Sequence, residues 1–273
     1  MLIKLAFFYR AKFFYEESVG HGAFGDLERA EGYLILAYSK KRDFTIKNEL
    51  GSLYGQMYLA LIDSHPDYQN QHKMKYTANA QHFLDRSEKS LQDSVAIDSD
   101  QQRAYHGLAV IAGSFRQNYP EAIKWQRMAL NGKVWQREAS QYMTSLMHYN
   151  MACYESRLLQ KTVDEEQEIT REHANSVISH LEVAAGACSV RESLIEQDFK
   201  SSSGDFWGLK DRADQDLKNI LEQLETSLRQ KASTALPHKP QSSPGEAPGL
   251  RQASTLFLRA LRKALKRSPR DHD

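Results

Sequence analysis

Residues 104–132 read AYHGLAVIAGSFRQNYPEAIKWQRMALNG, and the fold follows from how this stretch divides. Its first ten residues mix small and large apolar side chains without the polar/apolar alternation of a strand. Gln117-Asn118-Tyr119-Pro120 then breaks the run, and Pro120 suits the first turn of a new helix because its missing N–H would have no partner there anyway. The second run, about 120–131, closes on Asn131-Gly132, a pair able to take the left-handed cap conformation. Two amphipathic helices joined by a short polar turn make a helical hairpin.

The same reading extends in both directions. Asp26 is a candidate N-cap for a helix over about 27–41, with Leu27, Ala30, Leu34, Ala37 and Tyr38 on one face. A helix over about 43–63 carries Phe44, Leu50, Leu53, Met57, Tyr58 and Leu61, and the polar SHPDYQNQHK segment ends it. Further helices are expected at about 76–97, 102–117, 136–160, 165–187 and 209–230, with loops at VDEEQE and at 200–208. The N-terminal MLIKLAFFYRAKFFYEESV is apolar, yet Lys4, Arg10 and Lys12 interrupt it every few residues. It predicts neither a signal peptide nor a span but an aromatic-rich helix packed on the body, with an interfacial helix as the alternative. The fold class is therefore all-α.

Residues 104–132 resemble a tetratricopeptide repeat (TPR). Ala122 and Ala129 fall where that family keeps small residues at a close helix crossing, and Trp125 or Gln126 falls where it keeps a bulky one. SEKSLQDSVAIDSDQQ (87–102) is similar to the end of a second repeat helix with its exit turn. HYNMACYESRL (148–158) is similar to a first helix, with Tyr149-Asn150-Met151-Ala152 in place of the family's aromatic, Asn, Leu, Gly series. The resemblance implies an α-solenoid of antiparallel hairpins, each offering an apolar face to the next. Against the family's period of about 34 residues, the chain carries a polar insertion at about 64–75, an extra residue near 113–118 and a lengthening at VDEEQE.

In such an array the first helices line a concave groove. The resemblance places Arg103, His106 and Val110 of one unit and Leu146, Asn150 and Arg157 of the next towards a bound segment. Asn150 matches a position that in some members hydrogen-bonds ligand backbone or carboxylate, whereas Val110 stands where carboxylate-clamping members need an Asn.

Composition and motifs narrow the chemistry. With 36 Lys and Arg against 35 Asp and Glu, the net charge of +1 gives no global pull towards nucleic acid or acidic lipid. Two cysteines, Cys153 and Cys188, cannot form a small-scaffold disulfide framework, and a reducing cytoplasmic location is the simplest expectation. Gly20-His21-Gly22-Ala23-Phe24-Gly25 spells G-x-G-x-x-G, but it follows a charged amphipathic segment and lacks the βαβ setting of a dinucleotide site; it reads as a helix connection. His173 and His180 stand two turns apart, not the single turn a helical zinc pair uses, so they read as ordinary histidines. Cys153, amid the packing residues of YNMACYESR, reads as a small buried hydrophobe. No catalytic constellation, metal site or cofactor is expected.

After Lys231 the composition changes. Residues 232–252 form a Pro/Gly/Ser-rich linker without expected structure. Residues 253–273 contain a short amphipathic helix in which Leu256, Phe257, Leu261 and Leu265 oppose Arg259, Arg262, Lys263, Lys266 and Arg267. The expectation is a helical body over 1–231 acting as a non-catalytic adaptor that binds a peptide or protein. The alternative is a regulatory or sensor body attached to an anionic membrane or nucleic acid through the five tail cations.

Overall fold

A computed structural model of the chain describes residues 1–18, 24–63, 66–132, 137–163, 167–186, 190 and 192–234. Among these residues there are eleven α-helices and no named strand, in agreement with the all-α expectation. The chain divides into two compact units, Met1–Ser114 and a second beginning at Phe115.

The first unit contains α1 (Leu2–Ser18), α2 (Phe24–Lys40), α3 (Phe44–Asp63), α4 (Pro66–Ile97) and α5 (Gln102–Val110). Its apolar core joins Ala6, Phe13 and Phe14 of α1 to Leu27, Ala30 and Leu34 of α2 and to Leu50, Leu53 and Met57 of α3. The expected aromatic-rich N-terminal helix is thus present and packed on its own unit. Helices α3, α4 and α5 meet at Leu91. A β-carbon on Gly51 would come within 2.6 Å of the Leu91 side chain, and one on Gly107 within 2.8 Å. Only glycine lets both helices close on that leucine. Across the α3–α4 seam, Ser87 Oγ donates to the Gly51 carbonyl at 2.7 Å and Ser94 Oγ to the Phe44 carbonyl at 2.9 Å.

The second unit contains α6 (Tyr119–Asn131), α7 (Arg137–Thr162), α8 (Arg171–Gly186), α9 (Glu192–Lys200), α10 (Trp207–Asp211) and α11 (Gln215–Thr234). Its core gathers Tyr149 and Ala152 of α7, Leu181 of α8, Ile195 and Phe199 of α9, and Leu217 and Leu221 of α11 around Phe206. Arg212 ties two elements together. Its Nη1 donates to the Gln160 carbonyl and its Nη2 to that of Val163, each at 3.1 Å, which satisfies the open C-terminal end of α7.

Several local expectations change. Asp26 is not the α2 N-cap: the helix starts at Phe24, and Asp26 is buried in its first turn, where Lys12 Nζ approaches to 2.7 Å. The polar insertion is helix from Pro66 onward, because Gln, Lys, Met and Ala are good helix formers. Gly132 is extended (φ −71°, ψ 158°), so the left-handed cap lies elsewhere, at Gln117 with φ 52°. Asn118 caps α6, its Oδ1 accepting from the Glu121 N–H at 3.4 Å. The helix expected over 102–117 ends as a π-helical turn, Ile111–Phe115. The loop expected over 200–208 holds the start of α10, and α9 lies where no helix was expected. Cys188 and residues 235–273, with the linker and tail readings, lie outside the described residues.

Candidate functional site

The six groove residues fall into two triplets, one in each unit. Arg103, His106 and Val110 share a face of α5, but Val110 is buried and Arg103 Nη1 donates to Glu49 Oε1 at 3.2 Å. Leu146, Asn150 and Arg157 lie along α7, where Leu146 is buried and Arg157 is anchored to a loop. His106 and Asn150 are half-buried. The tail cations Arg259, Arg262, Lys263, Lys266 and Arg267 lie outside the described residues.

Three polar centres stand out instead, each built on residues the helix pattern exposed only in part. In the first unit, Arg10 sits on the buried face of α1, one turn from Ala6 and Phe13. Its Nη1 donates to Glu49 Oε2 at 2.7 Å, Nε to Gln56 Oε1 at 3.0 Å and Nη2 to Ser52 Oγ at 3.2 Å. Burial pulls the Arg10 pKa below its ordinary value, against the opposing pull of the Glu49 carboxylate. A cation on an otherwise apolar stripe signals a buried partner. That the partner is Glu49 cannot be read from spacing.

In the second unit, α7 presents Tyr149, Cys153, Ser156, Arg157 and Gln160 to the loop between α9 and α10. Tyr149 Oη donates to Asp198 Oδ2 at 2.7 Å. Arg157 Nε donates to Asp205 Oδ1 at 2.8 Å, its Nη2 to the Ser203 carbonyl at 2.6 Å, and Ser156 Oγ to the Asp205 carbonyl at 2.7 Å. Burial works against the Arg157 charge, yet Asp205 beside it raises its pKa above the ordinary value. The Cys153 sulfur and one oxygen each of Asp198 and Asp205 all lie within 4.8 Å of one another. Asp198 accepts from Tyr149 and Asp205 from Arg157, so both carboxylates help to fasten α9 and the loop after it to α7. Cys153 is buried in the core of this unit, as its setting in the sequence implied.

The third centre pairs α7 with α8. His148 Nδ1 and His180 Nδ1 lie 2.8 Å apart, so a single proton occupies the space between them and two charged rings would set N–H against N–H. On its other side His180 Nε2 faces Glu155 Oε2 at 3.9 Å, and Arg127 of α6 reaches Glu155 Oε1 at 3.7 Å. Glu155 Oε2 is buried and accepts no hydrogen bond. Burial lowers both histidine pKa values from the ordinary 6.5; His180 lowers His148 further, and for His180 Glu155 opposes the shift while Arg127 adds to it. His173, by contrast, is exposed and accepts from the Thr170 N–H at 3.3 Å at the start of α8.

A folded-state pKa below the unfolded one means that the unfolded chain takes up protons first as pH falls. The stability from this pair is therefore complete above pH 6.5 and is lost as the pH drops below that value towards the lowered folded pKa values. The urea midpoint of the native chain should fall between about pH 7 and pH 5, and His148→Gln should flatten that slope. Equal slopes in the two proteins would count against the coupling. Asp43 and Asp93, whose pKa values lie below the ordinary 3.8, act in a separate, more acid window.

Of the G-x-G-x-x-G segment, Phe24 and Gly25 begin α2, and residues 20–23 lie outside the described residues. No helix among the described residues is long and apolar enough to cross a membrane. No protein-family model matches the chain, and no curated protein or solved structure shows significant similarity to it.

Proposed function

We propose that this chain is a non-catalytic, TPR-like helical protein of the cytoplasm that binds a peptide or another protein on the faces of its repeat-type helices. The observation that supports this reading is the packing order within each unit. The most extensive helix pairings, α3 on α4, α1 on α2, α7 on α8 and α6 on α7, all join sequence neighbours, as stacked hairpins do. The polar centres lend further support, since their charged groups are engaged in holding helices and loops together. The binding positions of this reading are His106 on α5 and Asn150 on α7, the half-buried residues that the repeat pattern turns towards a bound segment. A photo-crosslinking residue placed at either position in the full chain should yield one discrete adduct in the native cell. The same residue at the exposed Ser179 of α8 or Lys89 of α4 should not. Adducts of equal strength at all four positions, or none at any, would remove the proposed binding faces.

A further inference from the structure

The antiparallel pair α1–α2 has an outer edge unlike the rest of the described surface. Its register is fixed by Lys12 against Asp26 at 2.7 Å and by Tyr9 stacked on Tyr33 with ring centroids 5.7 Å apart. Helical spacing puts Ala6, Arg10, Phe13 and Phe14 on the inner side of α1, and Met1, Lys4, Phe8 and Tyr15 on the outer side. On α2, Leu36 and Lys40 lie one and two turns beyond Tyr33, on the flank that α1 borders.

The outer side is apolar to a degree that a water-facing edge does not need. Phe8 is 60% exposed, Tyr15 73% and Leu36 44%. Around them stand cations: Lys4 and Lys40 are exposed, and Arg29, whose guanidinium lies over the Tyr9 ring, is 64% exposed. Among the described side chains of the two helices, Asp26 is buried beneath Lys12 and Arg29, and Glu28 falls with Ile35 on the opposite flank of α2.

We propose that this edge is a docking surface for an anionic lipid bilayer, on which α1 and α2 lie parallel to the membrane plane with Phe8, Tyr15 and Leu36 entering the interface. Bulky apolar and aromatic side chains ringed by lysine and arginine are what an interfacial helix presents to acidic headgroups. An aromatic with a polar tip, such as Tyr15, favours the headgroup level. The aliphatic members distinguish the surface from one for single-stranded RNA, which would use stacked rings and a longer cationic track. The surface is built from α1 and α2 and uses none of the residues proposed above for peptide binding.

The test uses the full chain in co-sedimentation with vesicles of phosphatidylcholine alone and of phosphatidylcholine and phosphatidylserine in equal parts. The native chain should sediment with the mixed vesicles and hardly with phosphatidylcholine alone, and added salt should release it. Each cation near the surface strengthens binding about fivefold, so Lys4→Glu with Lys40→Glu should lower partitioning by about tenfold or more. Phe8→Ser with Leu36→Ser should lower it by a similar factor with the helical circular-dichroism signal unchanged, since both side chains are exposed. Arg262→Glu with Lys263→Glu, in the tail, should leave the contribution of the α1–α2 edge in place. Failure of the native chain to sediment overturns the proposal, as does unchanged binding in the Phe8/Leu36 variant. Binding to single-stranded RNA without binding to vesicles overturns it as well.

Discussion

Replacing Glu49 by alanine is expected to destabilise the unit formed by α1–α5 by about 3–5 kcal/mol, the scale for stripping one partner from a buried ion pair. Arg10 is 4% exposed and Glu49 3%. The arginine cannot shed its charge as a lysine could, so after the substitution a guanidinium remains in the core with only Gln56 and Ser52 as neutral acceptors. Arg103 loses its partner too, but at 42% exposure it can turn to water. Replacing both residues at once, Arg10→Met with Glu49→Leu, should recover most of the loss, because a packed apolar pair needs no compensation for desolvated charge. Urea unfolding of Arg10→Met, Glu49→Leu and the double variant closes the cycle. A loss of under about 1 kcal/mol in Glu49→Ala would mean that water screens this pair as it does a surface one.

The second large effect is expected at Gly204. A β-carbon there would press on the backbone carbonyl oxygens of Gln197 and Asp198, far inside van der Waals contact. No rotamer relieves a clash with backbone, so the turn itself must open. The turn is held by the Gly204 N–H on the Ser201 carbonyl at 2.7 Å and the Phe206 N–H on the Asp198 carbonyl at 2.9 Å. Opening it also strains the Ser156 and Arg157 bonds to residues 203–205 and withdraws Phe206, fully buried, from the core. Gly204→Val should therefore cost about 3 kcal/mol or more, with exposure of apolar surface in the second unit. Gly208→Ala is the informative comparison. Its β-carbon would meet only the flexible end of the Gln160 side chain, which can move, so the loss should be much smaller. Equal losses at the two glycines would show that the α9–α10 turn has more freedom than its hydrogen bonds imply.

What could be read from the sequence was set by range. The apolar stripe Leu27, Ala30, Leu34, Ala37 names the buried face of α2 because a helix repeats within a few residues, and all four are buried. The break at Gln117–Pro120 was legible for the same reason: Asn118 and Pro120 act on the backbone next to them. Helix α9 was not legible. Nine residues with Ile195 and Phe199 one turn apart are too short for periodicity to stand out, and the helix owes its stability to the core around Phe206. The polar centres show the same limit more sharply. Arg10 was read only as a charge interrupting an apolar run, and its buried partner lies 39 residues away. His180 was noticed beside His173 on its own helix, whereas its contact is His148, 32 residues earlier on α7. Gln117 in the left-handed region was missed because the turn demands that conformation whatever residue occupies it, and glycine was the residue sought.

The π-helical turn at Ile111–Phe115 bears on how the chain can change in length. A π turn winds one more residue into a helix than the α-helical ladder holds, and so takes up an insertion without unwinding what flanks it. Ile111, Ala112 and Gly113 within that turn are buried. The wider winding is local: α5 before it keeps Ala104, Leu108 and Ala109 buried, and α6 after it keeps Ala122, Gln126 and Ala129 buried. Loss of a single codon in this window is expected to return the segment to ordinary α-helical winding, so 111–115 should tolerate a deletion better than the helices on either side.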